Sequence, residues 1–144
     1  MTTQVENKYV IFKIENENYG LCIENVQSIE KFLNYTRVPN APKYVKGVIN
    51  LRGEVAPILD LRLKLNLEPK EVDNNTRIVV TKEDEIVVGL IVDESSEVLE
   101  IGKDKIDKPP TTGNDNYQEY VKGIGKVKDR LVIILNLRKL LELE

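Results

Sequence analysis

One segment of this chain occurs twice without a gap, and that repetition restricts the available folds more than any single motif does. Tyr44-Val45-Lys46-Gly47-Val48 returns as Tyr120-Val121-Lys122-Gly123-Ile124, and Ile58-Leu59-Asp60-Leu61-Arg62 returns as Ile134-Leu135-Asn136-Leu137-Arg138. Residues 44–65 align with 120–141 at a constant offset of 76, with nine identities in 22 positions. A weaker echo at an offset of 69 pairs Gly20-Leu21-Cys22-Ile23 with Gly89-Leu90-Ile91-Val92. The chain therefore reads as two copies of one unit of about 65 residues. A unit of that size buries only about 60% of its unfolded surface, so two fused copies make a more stable body than either alone.

Short β-branched runs dominate. Tyr9–Ile14, Tyr19–Ile23, Arg77–Thr81 and Ile86–Val92 have the length and composition of strands. The polar tetrads Glu15–Asn18 and Lys82–Glu85 place a hairpin at the start of each copy. A second hairpin follows in the first copy, Val48–Leu51 and Val55–Leu59 about a turn at Arg52-Gly53. Pro57 lacks a ladder donor and predicts an edge strand or a bulge. Leu137, Leu140 and Leu141 are spaced for a short helix behind an Asn136 N-cap, and Asp60 heads the equivalent helix in the first copy. Val26, Ile29, Phe32 and Leu33 are expected in the core. Asn40 and its counterpart Asn116 each open a turn, and Lys103–Asn116 is the longest irregular stretch. The expected fold is mainly β: two pseudo-symmetric SH3-like five-stranded β-barrels packed together, with short helices closing each unit. Residues 1–144 form one domain, with sub-barrels at 8–67 and 77–144 and strand exchange between them left open.

Catalytic signatures do not emerge. The chain has no histidine, so neutral-pH general-base work would fall to perturbed carboxylates or lysines. No zinc-type cluster, calcium loop or phosphate-binding glycine loop precedes a helix. The single cysteine, Cys22, sits in an apolar run without a basic neighbour and reads as a small hydrophobe rather than a reactive thiol. A net charge of −3, from 24 acidic against 21 basic residues, gives no footprint for nucleic acid. No apolar run approaches the roughly 20 residues that span a bilayer, and the start of the chain has no signal-peptide core. The expectation is a cytoplasmic protein that uses surfaces, with no cofactor and no metal. Arg52, at a hairpin tip, is a solvated arginine by default and a partner-binding guanidinium if the tip is a docking surface.

The run Gly47-Val48-Ile49-Asn50-Leu51-Arg52-Gly53-x-Val55-x-Pro57-Ile58-x-Asp60-Leu61-Arg62 closely resembles the signature of the CheW family of chemotaxis coupling proteins. The resemblance extends over nearly the whole chain. It takes in Phe12, Tyr19 and Gly20, Val26–Ile29, Thr36–Pro39, Gly89–Asp93 with Val98-Leu99, and Leu131–Leu135. It implies two SH3-like barrels and a non-enzymatic adaptor that links transmembrane chemoreceptors to the histidine kinase CheA. The receptor-facing surface then maps to Val26, Ser28, Val45, Gly47, Asn50, Leu51, Arg52 and Gly53. Some members carry a glutamate where this chain has Ser28, leaving Glu24 and Glu30 as the carboxylates available to face Arg52. Such a protein is recruited to membrane-associated receptor arrays without entering the bilayer and is expected to be a monomer in isolation. Its partners are the regulatory domain of the kinase and the cytoplasmic tip of the receptors. If receptors occupy the first hairpin, the kinase is left, by elimination, with the second copy around Ile106, Asp107 and Pro109. The alternative from another class is an SH3-like peptide-binding module in a different two-component pathway.

Overall fold

The computed structural model describes residues 7–109 and 119–142. Eleven strands are present among them: β1 (Lys8–Ile14), β2 (Glu17–Cys22), β3 (Val26–Lys31), β4 (Val45–Leu51), β5 (Glu54–Asp60), β6 (Arg77–Glu83), β7 (Ile86–Val92), β8 (Glu94–Glu100), β9 (Ile106–Asp107), β10 (Val121–Val127) and β11 (Arg130–Leu135). Two one-turn helices, α1 (Leu61–Lys64) and α2 (Leu137–Leu140), follow β5 and β11. The strands form two sheets, ordered β8-β1-β2-β11-β10-β9 and β3-β6-β7-β5-β4.

The repeat is visible in the hydrogen-bond register. Within the β4/β5 hairpin Gly47 opposes Ile58 and Leu51 opposes Glu54; within β10/β11 Gly123 opposes Ile134 and Val127 opposes Arg130. Each hairpin bulges at the same place, between Val45 and Gly47 and between Val121 and Gly123. Gly47 and Gly123 thus occupy equivalent elements. Both helices are capped as their sequences predict: the Asp60 carboxylate accepts from the Arg62 and Leu63 N–H groups, and the Asn136 side chain accepts from Lys139 N–H.

The parallel pairings carry the main departure from chain order. β5 lies beside β7, with Ile58 opposite Gly89, and β11 lies beside β2, with Ile134 opposite Gly20. Each copy's closing hairpin is therefore completed by the opening hairpin of the other copy. Val26–Ser95 form one compact unit, and the described residues before Val26 and after Ser95 form the other. These limits differ from 8–67 and 77–144 because the opening strands change places. One unit is centred on Ile49, Ile58, Ile78 and Val80, the other on Tyr9, Ile11, Ile101, Val132 and Ile134. The first sheet has six strands rather than five because β9 adds a two-residue edge. Its counterpart in the other unit is the single Thr36–Val48 bridge.

Several local expectations change. The strands run into the polar tetrads, so the opening hairpins turn on the pairs Glu15-Asn16 and Asp84-Glu85 alone. Pro57 lies in an interior strand, between β7 and β4, and not at an edge. Its missing N–H costs nothing there. The residue opposite, Val48, spends both its backbone groups on Thr36 (2.8 and 2.9 Å), and the pairing of β5 with β7 begins only at Ile58. In β11, where Ile133 replaces proline, the parallel ladder starts earlier, at Val132. Ile29 and Leu33 are exposed (42% and 37%), not core, because their side of the β3 segment is uncovered. Lys103–Lys105 form a 3-10 turn leading into β9, so this part of the stretch is ordered as secondary structure; Asn116 and residues 110–118 lie outside the described residues.

A fragment consisting of residues 26–95 contains β3 to β7 and α1 complete, with the Ile49 cluster intact. It is expected to unfold cooperatively in urea, though with low stability at its size. A fragment of residues 1–67 separates β5 from β7 and is expected to show no cooperative transition by circular dichroism. Equal behaviour of the two fragments would contradict the exchanged pairing.

Candidate functional site

The hairpin between β4 and β5 turns on two residues, both with positive φ: Arg52 at 53° and Gly53 at 85°. That is the geometry of a type I′ turn, which matches the twist of the flanking strands. The Gly53 N–H donates to the Asn50 side-chain carbonyl at 2.9 Å, which fixes the turn from below. Arg52 holds its left-handed conformation without the glycine that usually supplies it, and its side chain is 84% exposed.

Strand β3 supplies the facing wall. Ser28 and Glu30 lie on one side of it by the two-residue period, after a bulge that sets Gln27 aside. The Ser28 hydroxyl donates to Glu30 Oε2 at 2.8 Å, and the same oxygen lies 3.8 Å from Arg52 Nη2. Glu30, not Glu24, is thus the carboxylate opposite Arg52. Ser28 positions it instead of pairing with the arginine directly. At 3.8 Å the pair is an ion pair without a hydrogen bond, and the arginine's exposure makes it weak, so its donors remain available to a partner. Ser28, Glu30, Leu51, Arg52 and Gly53 border a depression of about 240 Å³ whose apolar side includes Ala56, Val80 and Val87.

The remaining receptor-facing candidates are more scattered. Asn50 is exposed but holds the turn; Val26 and Val45 are half-buried, and Val45 borders a different depression. Gly47 is buried: a Cβ there would collide with the Thr36 carbonyl, so the residue shapes the surface from underneath without forming part of it.

In the other unit, β9 separates its two residues. Ile106 turns inward against the Tyr9–Ile134 cluster, while Asp107 faces out and pairs with Lys126 at 3.0 Å. Pro109 is half-buried beyond the strand. Asp107 joins Ile124, Leu131 and Ile133 around a depression of about 560 Å³. Leu131 and Ile133 alternate along β11 with the strand's core residues. Only Val132, Ile134 and Leu135 are buried, and Leu131 is 61% exposed. The signal was present in the strand's period of two, which puts 131 and 133 on the opposite side from 132 and 134.

Cys22 ends β2 half-buried against the same cluster. Opposite it, the Tyr9 hydroxyl is pushed above its ordinary value by burial and, secondarily, by its electrostatic interaction with Cys22. Among the described residues, no group of three or more His, Cys, Asp or Glu side chains is placed to hold a metal ion, and no helix is long and apolar enough to cross a membrane.

The family model for the CheW-like domain matches residues 8–144. The chain belongs to the CheW family. It is 37% identical to the chemotaxis protein CheW of Klebsiella aerogenes over 97% of this chain and 84% of that one. Against the chemotaxis protein CheW of Bacillus subtilis it is 35% identical, covering all of this chain and 94% of the other. The crystal structure of the scaffolding protein TtCheW from Thermoanaerobacter tengcongensis superposes with a TM-score of 0.87 at 33% identity, covering 96% of this chain and 94% of that one. This CheW-family chain therefore has the expected mainly β architecture of two sheets with few helices.

Proposed function

We propose that this chain is a non-enzymatic, cytoplasmic adaptor that couples transmembrane chemoreceptors to the histidine kinase CheA and is recruited by them to membrane-associated arrays. Relatives named chemotaxis protein CheW, and a solved relative titled a scaffolding protein, support the general role. The observation that carries the receptor assignment is Arg52: an exposed guanidinium on a hydrogen-bonded turn, beside a mainly polar depression with an apolar side, near a carboxylate that it contacts only loosely. A receptor carboxylate can take its hydrogen bonds while apolar receptor side chains enter beside Leu51 and Val87. The kinase is assigned to the other unit, at the depression beside Asp107 and Leu131, with Ile106 and Pro109 close to Asp107 in the chain. Separate surfaces are what simultaneous binding requires.

Arg52→Ala is expected to lower affinity for a receptor cytoplasmic-tip fragment by about 1.5–3 kcal/mol, the value of a lost charge-assisted contact. The urea midpoint should not move, since the side chain is 84% exposed and its ion pair is weak. Calorimetric titrations that overlay the wild type would make Arg52 an ordinary surface residue. Kinase affinity measured with and without saturating receptor fragment tests the division of surfaces, and mutually exclusive binding would end it.

A further inference from the structure

The segment between β3 and β4 borders a depression of about 940 Å³ that shares no lining residue with the Arg52 site. Three cations, Arg37, Lys43 and Lys46, line it, and no aspartate or glutamate does. Among the described residues none of the three makes an ion pair. On a chain with a net charge of −3 this is a local inversion of sign, which attracts an anionic partner and orients it on approach.

Apart from Asn40 and Tyr35, the rest of the lining is aliphatic or proline. Val38 is 41% exposed, Val45 and Leu63 are half-buried, and Pro39, Pro42 and Pro69 limit backbone freedom. The segment is fixed at both ends, by the paired Thr36–Val48 backbone bonds and by Val45 N–H donating to the Pro42 carbonyl at 2.9 Å. Little ordering entropy is therefore lost when a ligand enters. The second copy does not preserve this surface: Lys43 becomes Glu119 and Leu63 becomes Lys139.

We propose that this depression is a docking site for an acidic protein segment in which carboxylates alternate with aliphatic side chains. The carboxylates pair with Arg37, Lys43 and Lys46, and the aliphatic groups cover Val38, Val45 and Leu63. A bare polyanion would use only the first of these features.

The test uses the full chain at low ionic strength, with a short synthetic peptide alternating glutamate and leucine as probe. Amide shifts in the protein's NMR spectrum should cluster at 35–46 and 63. Affinity should fall with added salt and exceed that of a peptide alternating glutamate and serine. Arg37→Ser with Lys43→Ser, both exposed and so compatible with folding, should weaken binding about tenfold, the effect of losing roughly 1.4 kcal/mol of charge contact. Val38→Asp should weaken it independently. Shifts located elsewhere, no binding at low salt, or unchanged affinity of the double variant would overturn the proposal. Tighter binding to phosphatidylglycerol vesicles than to the peptide would replace it with a membrane-surface reading. Neither result bears on Arg52.

Discussion

Replacing Arg62 with alanine is expected to lower the stability of this protein by about 3–5 kcal/mol, the range for removing one partner of a buried ion pair. The Arg62 guanidinium donates to both Asp93 carboxylate oxygens at 2.8 Å and to the Glu68 carbonyl at 2.7 Å. The two side chains are only 9% and 14% exposed. The fork therefore ties α1 to the end of β7 and to the chain leaving α1, all within the Val26–Ser95 unit. Alanine would leave the Asp93 carboxylate, itself only 14% exposed, without the Arg62 fork. Arg62→Met combined with Asp93→Leu removes both charges and should recover much of the loss, which separates the effect of a broken charge pair from that of lost packing. Arg138, the repeat counterpart, is less buried, and Arg138→Ala should cost less. Urea unfolding of the four proteins decides the matter. If Arg62→Ala costs no more than Arg138→Ala, the buried fork is not what distinguishes the two arginines.

Gly47→Ala is expected to cost about 3 kcal/mol, at the upper end for a forced steric overlap. The added methyl would fall on the Thr36 carbonyl, with the carbonyl carbon 2.8 Å away and Tyr35 Cδ1 equally close. Backbone must move, and the Thr36–Val48 bridge is what moves. Gly123→Ala meets Ile106 Cγ2 at 2.7 Å and the Asp107 carbonyl at 3.0 Å. Ile106 Cγ2 sits on a branched Cβ packed against the core and cannot simply swing away, but the backbone approach is milder than at Gly47, so a smaller loss of about 1–2 kcal/mol is expected there. The Gly47 variant should also weaken receptor-fragment binding beyond what its stability loss explains, because it displaces the strand that carries Arg52. Equal thermal midpoints for the two alanine variants would show that the crossings at Thr36 and Asp107 are equally deformable.

The repeat, the strand-rich class, both helix caps and the Arg52-Gly53 turn were legible in the sequence because each depends on neighbours in the chain. A cap needs an acceptor beside free N–H groups, and a type I′ turn needs particular residues between two strands. Family membership was legible for the same reason, since its signature is a contiguous run from Gly47 to Arg62. What remained hidden depends on residues far apart. Nothing local to Tyr19–Cys22 specifies that it will lie against β11 and not β5, since both closing strands present the same register. Pro57 marks an edge or a bulge by local rules, yet Thr36, 21 positions earlier, satisfies the opposing strand and allows the proline in an interior strand. Glu30 could be recognised as the partner of Arg52 only once β3 had been placed facing the turn, with Ser28 below it. The sequence alone determined the local conformations and the family; the pairing of distant strands decided which copies complete each other and which side chains meet at the surface, because those choices are settled by burial and hydrogen bonding across the fold.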